Sequence, residues 1–318
     1  VKNVLVVGGA GYLGSVLVTE LTARGYFVRV LDNFIFGKKS LVNLENDPSL
    51  EIIEGDFRNI ETIVTSLRDI DAVILLAAVV GDPASKARPT QTIETNYLAV
   101  QALASACKSQ QTNRFIYAST CSVYGKGDSF LDEKSPMNPV SLYARTKIAS
   151  EKIVLDMANG SFSPTILRMG TLYGYSPRMR FDLVVNTMTL SSFSDNKIQV
   201  FGGGQWRPLL HVKDAAEAYL KCLETPIDKV AGQIFNVGSE EQNYKIIEIA
   251  EIIKDSLKEK KIEIAVQKSN IDERDYRVSF NKMRKELNLK ANYSIADATK
   301  EIYKNLQRQK DIFLNSFY

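Results

Sequence analysis

From residue 3 to residue 168, short aliphatic runs alternate with stretches of helical spacing, and no other feature restricts the fold as tightly. NVLVV, FVRVL, AVILLA, RFIYA and PTILR are near-continuous runs of aliphatic and β-branched residues, as expected of strands covered on both faces. Between them, Leu13, Val16, Leu17 and Leu21 recur at helical spacing and stop at Gly25; Ile93, Tyr97, Val100, Ala104 and Cys107 repeat the pattern. Such β-α-β alternation predicts a parallel, doubly wound sheet with right-handed crossovers. After Arg168 the pattern changes. Residues 171–206 carry turn signals (Gly174, Ser176-Pro177, Gly202-Gly203-Gly204) and a helix expected around 181–193. Residues 207–238 return to strand and helix patterns, and 239–318 read as helices, a basic stretch and a C-terminal helix. The expected organisation is a first α/β domain over 1–170, with 207–238 returning to it. A smaller discontinuous α/β domain, 171–206 and 239–318, would cap the sheet's carboxyl edge.

Composition narrows the function classes. A net charge of +3 over 318 residues argues neither for nucleic acid nor for an acidic membrane surface. The longest apolar run, Ala72 to Gly81, is too short to span a bilayer and suits a buried strand. Strand pattern from Asn3 leaves no room for a signal peptide, and Cys107, Cys121 and Cys222 are odd in number and far apart. Neither a disulfide framework nor a structural zinc is expected, and a reducing cytoplasm is.

GGAGYLG follows NVLVV and opens the helix of Leu13 to Leu21, the context a dinucleotide fingerprint requires. Gly8 allows the tight turn, Gly11 lets backbone approach a pyrophosphate, and Gly14 permits close helix–strand packing. The helix N-terminus offers unpaired N–H groups to the phosphates. This is the Rossmann arrangement. Asp32 ends the second strand about 20 residues on, where a carboxylate accepts both ribose hydroxyls and repels a 2′-phosphate, favouring NAD; Lys38 and Lys39 keep NADP open. Asp56, after another strand, can reach an adenine amino group or cap a helix. In SLYARTKIASEK, Tyr143 and Lys147 share one helical face. There an ammonium can draw a phenol pKa from about 10 toward neutrality. A tyrosine so tuned can take a proton from a sugar hydroxyl while a nicotinamide takes the hydride.

With GGAGYLG, LDN at 31–33, GD at 55–56, LLAA at 75–78, Asn96, STCSVYG at 119–125, YARTK at 143–147 and RPLLHVKD at 207–214, the chain resembles the extended short-chain dehydrogenase/reductase superfamily, in its nucleotide-sugar epimerase/dehydratase branch. The resemblance implies that Tyr143 is the acid/base, that Lys147 holds the nicotinamide ribose, and that Thr120 hydrogen-bonds the reacting sugar oxygen. It places NAD against Gly8, Gly11, Tyr12, Leu13 and Gly14 at the turn, and against Asp32, Asn33, Asp56 and Phe57 at the adenosine. Leu76, Ala77, Ala78, Asn96 and Ser119 would complete that site with Tyr143 and Lys147. For a nucleotide-diphosphate sugar it implies Thr120, Ser122, Arg178, Arg180, Asn186, Arg207, Arg274 and Arg277. A guanidinium fork suits a diphosphate, although each arginine also reads as an ordinary surface residue. Trp206 can stack on a base or be buried between domains.

The departures carry information. The 4,6-dehydratases follow the threonine with an Asp-Glu pair, where Cys121 and Ser122 stand here, and the decarboxylases carry a Glu in place of Ser122. The 3,5-epimerase/reductases use a Cys at Ser122's position with a later His, so Cys121 is one place out of register. His211 reads as structural or ligand-contacting, ahead of an Asp214/Glu217 capping box. What remains needs only hydride and proton transfer at one carbinol. The expected activity is 4-epimerisation of a nucleotide-diphosphate sugar through transient oxidation. The alternatives are a 4-dehydrogenase or 4-ketoreductase and, more remotely, a non-catalytic NAD-binding scaffold. Helices beginning near Ile93 and Tyr143 are expected to pair in a homodimer.

Overall fold

The computed structural model describes residues 1–269 and 272–315, with side chains to residue 309. Seven parallel strands lie in the spatial order Leu50–Glu54, Phe27–Asp32, Asn3–Val7, Ala72–Leu75, Arg114–Thr120, Ser163–Met169 and Ile234–Val237. The central strands are buried on both faces, which is why they read as unbroken aliphatic runs. Along Asn3–Val7, Val4 and Val6 enter one apolar core while Leu5 and Val7 enter the other. The first core is closed by the helices Tyr12–Ala23 and Val212–Glu224, the second by Ala99–Ser109 and Leu142–Asp156. This is a doubly wound α/β sheet. Its strand order reverses at Asn3–Val7, so the crevice beyond that strand's carboxyl end is where such sheets take ligands.

Gly8 sits at φ +88°, with its Cα facing the Ala77 backbone so closely that a Cβ would lie 2.7 Å from the Ala77 nitrogen. Gly14, one turn into the helix, would place a Cβ 2.2 Å from the Gly8 carbonyl oxygen. The helix therefore enters the crevice pressed directly against the turn.

The remaining strands form small sheets over the carboxyl edge. Thr171–Tyr173, Trp206–His211 and Asn243–Lys245 make one; Lys197–Phe201 pairs with Glu263–Gln267, and Lys126–Leu131 with Asp275–Val278. The strand Trp206–His211 thus stays outside the large sheet, and the chain rejoins it through the helix Val212–Glu224 and the strand Ile234–Val237. A third core of Tyr173, Val185, Ile198, Leu209, Ile249 and Ala298 binds the helices Val184–Ser194, Ile246–Ser256 and Ile295–Asn315 to these strands. Among the described residues, no helix is long and apolar enough to cross a membrane.

Two local expectations are corrected. The stripe from Ile93 to Cys107 is not one regular helix: a π-helical turn over Glu94–Leu98 inserts extra backbone and rotates the face, leaving Ile93 and Leu98 exposed. The helix Val212–Glu224 is capped by His211, whose Nδ1 accepts from the Lys213 N–H at 3.2 Å. Asp214 instead accepts the Asn292 and Tyr293 N–H groups at 2.9 and 3.2 Å, and Glu217 pairs with Arg24. Burial and the nearby Lys213 push the His211 pKa down to about 3, which keeps the ring neutral where it stacks on Tyr293.

The Gly14 contact generates a prediction. Gly14→Ala gains about 1 kcal/mol of helix propensity but forces the turn and helix apart, so a net loss of about 1–3 kcal/mol is expected in urea unfolding. An unchanged midpoint would show that the contact is relaxed in solution.

Candidate active site

Parallel pairing brings the carboxyl ends of all seven strands to one edge, and the site is built there. The glycine turn ends Asn3–Val7, and Thr120 ends Arg114–Thr120, two strands away at about 10 Å by ordinary strand spacing. The helix Leu142–Asp156 packs behind that second strand. Ser141 caps it, accepting the Ala144 N–H at 3.2 Å, and Tyr143 and Lys147 emerge on its buried face at 8% and 3% exposure.

Lys147 Nζ donates to the Ala118 carbonyl at 2.8 Å and lies 4.7 Å above the Tyr117 ring and 5.9 Å from the Tyr143 ring centroid. Burial pushes its pKa down to about 7, opposed by the Glu151 carboxylate one turn farther along. Burial also pushes the Tyr143 phenol up to about 12, against the lowering pull of Arg180, a hydrogen bond with Thr120, and Arg274. Burial thus outweighs the anticipated draw of the phenol toward neutrality. Desolvation dominates both groups because burial disfavours the charged form of each.

Beneath this pair lies an ionic support that sequence reasoning missed. Glu151 is 2% exposed, forms a two-pronged pair with Arg168 at 2.7–3.2 Å, and accepts the Ser119 hydroxyl. Arg168 also donates to the Tyr124 hydroxyl at 3.0 Å. Its signal was available, since Glu151 stands four residues after Lys147 on the same helical face. Ser119, expected at the cofactor, spends its hydroxyl on this carboxylate.

Around the glycine turn, Asp32 reaches across from the neighbouring strand, accepting the Ala10 N–H at 3.0 Å and the Phe34 N–H at 2.9 Å. Asn33 accepts from the Ile35 N–H at 3.4 Å. No side chain caps the helix that follows Gly11, so the N–H groups of its first turn are left for another acceptor. Tyr12 is buried and donates to the Gly174 carbonyl at 2.6 Å, while Leu13 packs in the core. The amide nitrogens of Leu76 and Ala77 both bond the Val7 carbonyl at 2.9 Å, with Ala78 following them. Asn96 acts one layer back: its amide clamps the Val79 backbone at 2.8 and 2.9 Å, fixing that loop. Asp56 is held in a bidentate pair by Arg58, and Phe57 is buried in the core. Lys38 pairs with Glu54 at 2.6 Å. An uncapped helix start, a turn that admits no Cβ and a carboxylate at the second strand's end together fit a dinucleotide.

The arginines separate into groups. Arg274 and Arg207 converge on Asp272, at 2.5 and 2.8 Å, and Arg274 also lies 3.4 Å from Ser122 and from Asp82. Arg180 forms a bidentate pair with Asp182. Arg178 does not join them: its guanidinium covers the Phe36 ring at 3.8 Å, beside the loop after the second strand, where it feels the Asp32 charge. Arg277 donates to the Asp128 carbonyl at 3.0 Å and flanks Trp206, which Lys245 covers from 5.3 Å. Asn186 is fully buried with its amide spent on Gly174, Tyr12 and Arg180 backbone and hydroxyl groups. Among the described residues, no group of three His, Cys, Asp or Glu side chains can hold a metal ion.

This geometry agrees with the profile of the NAD dependent epimerase/dehydratase family, which matches residues 4–238. The chain belongs to that family. It is 30% identical over 272 residues to a UDP-glucose 4-epimerase of Lactobacillus helveticus, covering 79% of this chain and 81% of that one. It is 31% identical over 263 residues to a UDP-N-acetyl-alpha-D-glucosaminuronate decarboxylase of Bacillus cytotoxicus, covering 79% of both. The UDP-glucuronic acid 4-epimerase of Bacillus cereus, solved with UDP-glucuronic acid and NAD, superposes with a TM-score of 0.87 at 26% identity, over 97% of this chain and 100% of that one. The family member described here is thus an NAD-dependent enzyme of the extended short-chain dehydrogenase type, within the nucleotide-sugar epimerase/dehydratase group.

Lys147 sets a pH signature in the NAD-free protein. Its folded pKa lies below its unfolded one, so the burial penalty is complete below about pH 7 and fades toward 10.5. Thermal unfolding of wild type should lose less stability between about pH 7 and pH 9.5 than Lys147→Met does. Identical pH dependence in the two would contradict the depressed ammonium.

Proposed function

We propose that the chain is a nucleotide-diphosphate-sugar 4-epimerase that uses Tyr143 as acid/base, with Thr120 and Lys147 positioning the reaction. The observation that carries this reading is the meeting of the buried Thr120, Tyr143 and Lys147 on the same sheet edge as the glycine turn. NAD, when bound, supplies a hydride acceptor and a cationic ring. Tyr143 exchanges the proton of the sugar 4-hydroxyl, and Thr120 hydrogen-bonds that oxygen as it gains carbonyl character. Lys147, fixed by the Ala118 carbonyl, would hold the nicotinamide ribose of bound NAD. Its ammonium form, favoured by Glu151, opposes the desolvation that otherwise keeps the phenol protonated.

Similarity extends to decarboxylases, but Ser122 stands where those enzymes carry a glutamate, and its hydroxyl faces Arg274 at 3.4 Å. Neither Ser122 nor the buried Cys121, whose thiol donates to the Arg168 carbonyl, is an acid for elimination at neutral pH. Chemistry confined to one carbinol follows. The substrate is a sugar nucleotide whose diphosphate would meet Arg207 and Arg274, with Trp206 offering a face to the base.

The decisive experiment follows the configuration at carbon 4 by NMR with UDP-glucose, UDP-galactose and their uronates. Interconversion without net NADH is expected. Tyr143→Phe should retain NAD and lose about 10²–10⁴-fold in kcat; native turnover in that variant would remove the reading. Accumulating NADH would favour a 4-dehydrogenase. Thr120→Val should raise the pKa that governs kcat/KM, because the threonine hydrogen bond lowers the phenol's.

The same reading includes a homodimer through the helical faces near Ile93 and Tyr143. Ile60, Val64, Ile93 and Leu98 are exposed apolar residues at 58, 41, 42 and 51%, an arrangement that favours a covered face. Sedimentation at micromolar concentration should give twice the chain mass; a single-chain mass would refute the pairing.

A further inference from the structure

The wall facing Tyr143 contains a carboxylate that neither the fingerprint nor the Tyr-Lys pair requires. Asp82 follows the fourth strand of the sheet, just after Gly81, whose φ of +91° turns the chain back. The loop leading to it is anchored, because Asn96 grips both the N–H and the carbonyl of Val79. Asp82 Oδ2 lies 3.4 Å from Arg274 Nε. Its other oxygen, Oδ1, is buried and has no hydrogen-bond partner among the described residues. A carboxylate oxygen kept from water without a donor costs free energy that a ligand's donor would recover.

The place of that oxygen is set by its neighbours. Arg274 spans from Asp82 to the Ser122 hydroxyl, also at 3.4 Å, and the Ser122 N–H donates to Thr120 at 3.1 Å. Asp82 therefore belongs to the same ring of side chains as the group beside the phenol, and its charge is felt at Tyr143. The cations in this ring are already matched. Arg180 holds Asp182, while Arg274 holds Asp272 as well as Asp82, and Arg207 shares Asp272. Only Asp272 stands where a diphosphate can replace it, between two arginines. The guanidinium that reaches Asp82, that of Arg274, is thus already shared between two carboxylates before any carboxylate on the sugar arrives.

We propose that Asp82 is a specificity-determining residue, its Oδ1 accepting a hydrogen bond from a hydroxyl of the sugar and its charge turning away sugars that carry a carboxylate there. This rests on the nucleotide-sugar reading above and narrows it to neutral hexoses. The contact is made to a part of the sugar that does not react, so it contributes to binding in ground and transition states alike. Loss of it is expected in KM more than in kcat.

The test measures kcat and KM of wild type, Asp82→Asn and Asp82→Ala with UDP- and dTDP-hexoses and the matching hexuronates, alongside bound NAD and the melting temperature. Wild type is expected to favour the neutral hexose at least tenfold in kcat/KM. Asp82→Asn, which keeps the shape, should raise KM for the hexose about ten- to hundredfold and shift the hexose/hexuronate ratio at least tenfold toward the hexuronate. Asp82→Ala should shift that ratio in the same direction, whatever its effect on melting. A wild-type preference for the hexuronate, or a ratio unmoved by both variants, overturns the assignment while leaving the epimerase reading intact. NAD-loaded wild type that neither binds nor converts any of these sugar nucleotides overturns both.

Discussion

The site depends on a carboxylate that no substrate is expected to touch. Glu151 is sealed under the helix Leu142–Asp156, and a buried charge of that kind is tolerated only with a matched, well-bonded partner. Arg168, from the neighbouring strand Ser163–Met169, provides two prongs, and Ser119 adds a hydroxyl from Arg114–Thr120. One carboxylate thus ties a helix to two adjacent strands. The helix can neither rotate nor slide without stranding the charge, so Tyr143 and Lys147 keep their register against Thr120. Glu151 also favours the proton on Lys147, which joins the structural support to the chemistry.

Desolvation is the second common cause. The same dryness that raises the Tyr143 phenol to about 12 brings the Lys147 ammonium to about 7. Burial holds the pair closer to neutrality than to its phenolate–ammonium form. A positive charge brought into that pocket would favour the phenolate, because a low dielectric magnifies any nearby charge. The expectation of a tyrosine tuned by lysine rested on their shared helical face, and burial is the element it lacked.

Across the crevice, cations and carboxylates are balanced nearly one for one: Arg180 with Asp182, Arg58 with Asp56, and Arg207 and Arg274 around Asp272 with Asp82. An anionic ligand that meets these arginines must therefore exchange partners. Asp272, bridged by two guanidinium groups that hold its carboxyl far below the usual range, resembles an internal substitute for a phosphate. Arg178 belongs to another region, lying over Phe36 beside the loop after the second strand.

Local pattern determined the β-α-β order, the glycine turn against its helix, Asp32 at the end of the second strand and the shared face of Tyr143 and Lys147. Each rests on period, on spacing, or on backbone freedom within a few residues. The tertiary structure alone decided the rest. The strands Asn243–Lys245, Glu263–Gln267 and Asp275–Val278, read beforehand as helices and a basic stretch, exist because distant segments pair with them. Trp206–His211 stays outside the large sheet and pairs with Thr171–Tyr173 instead. Which arginine meets which carboxylate, and whether a phenol is buried, depend on contacts between residues far apart in sequence, and no local spacing encodes them.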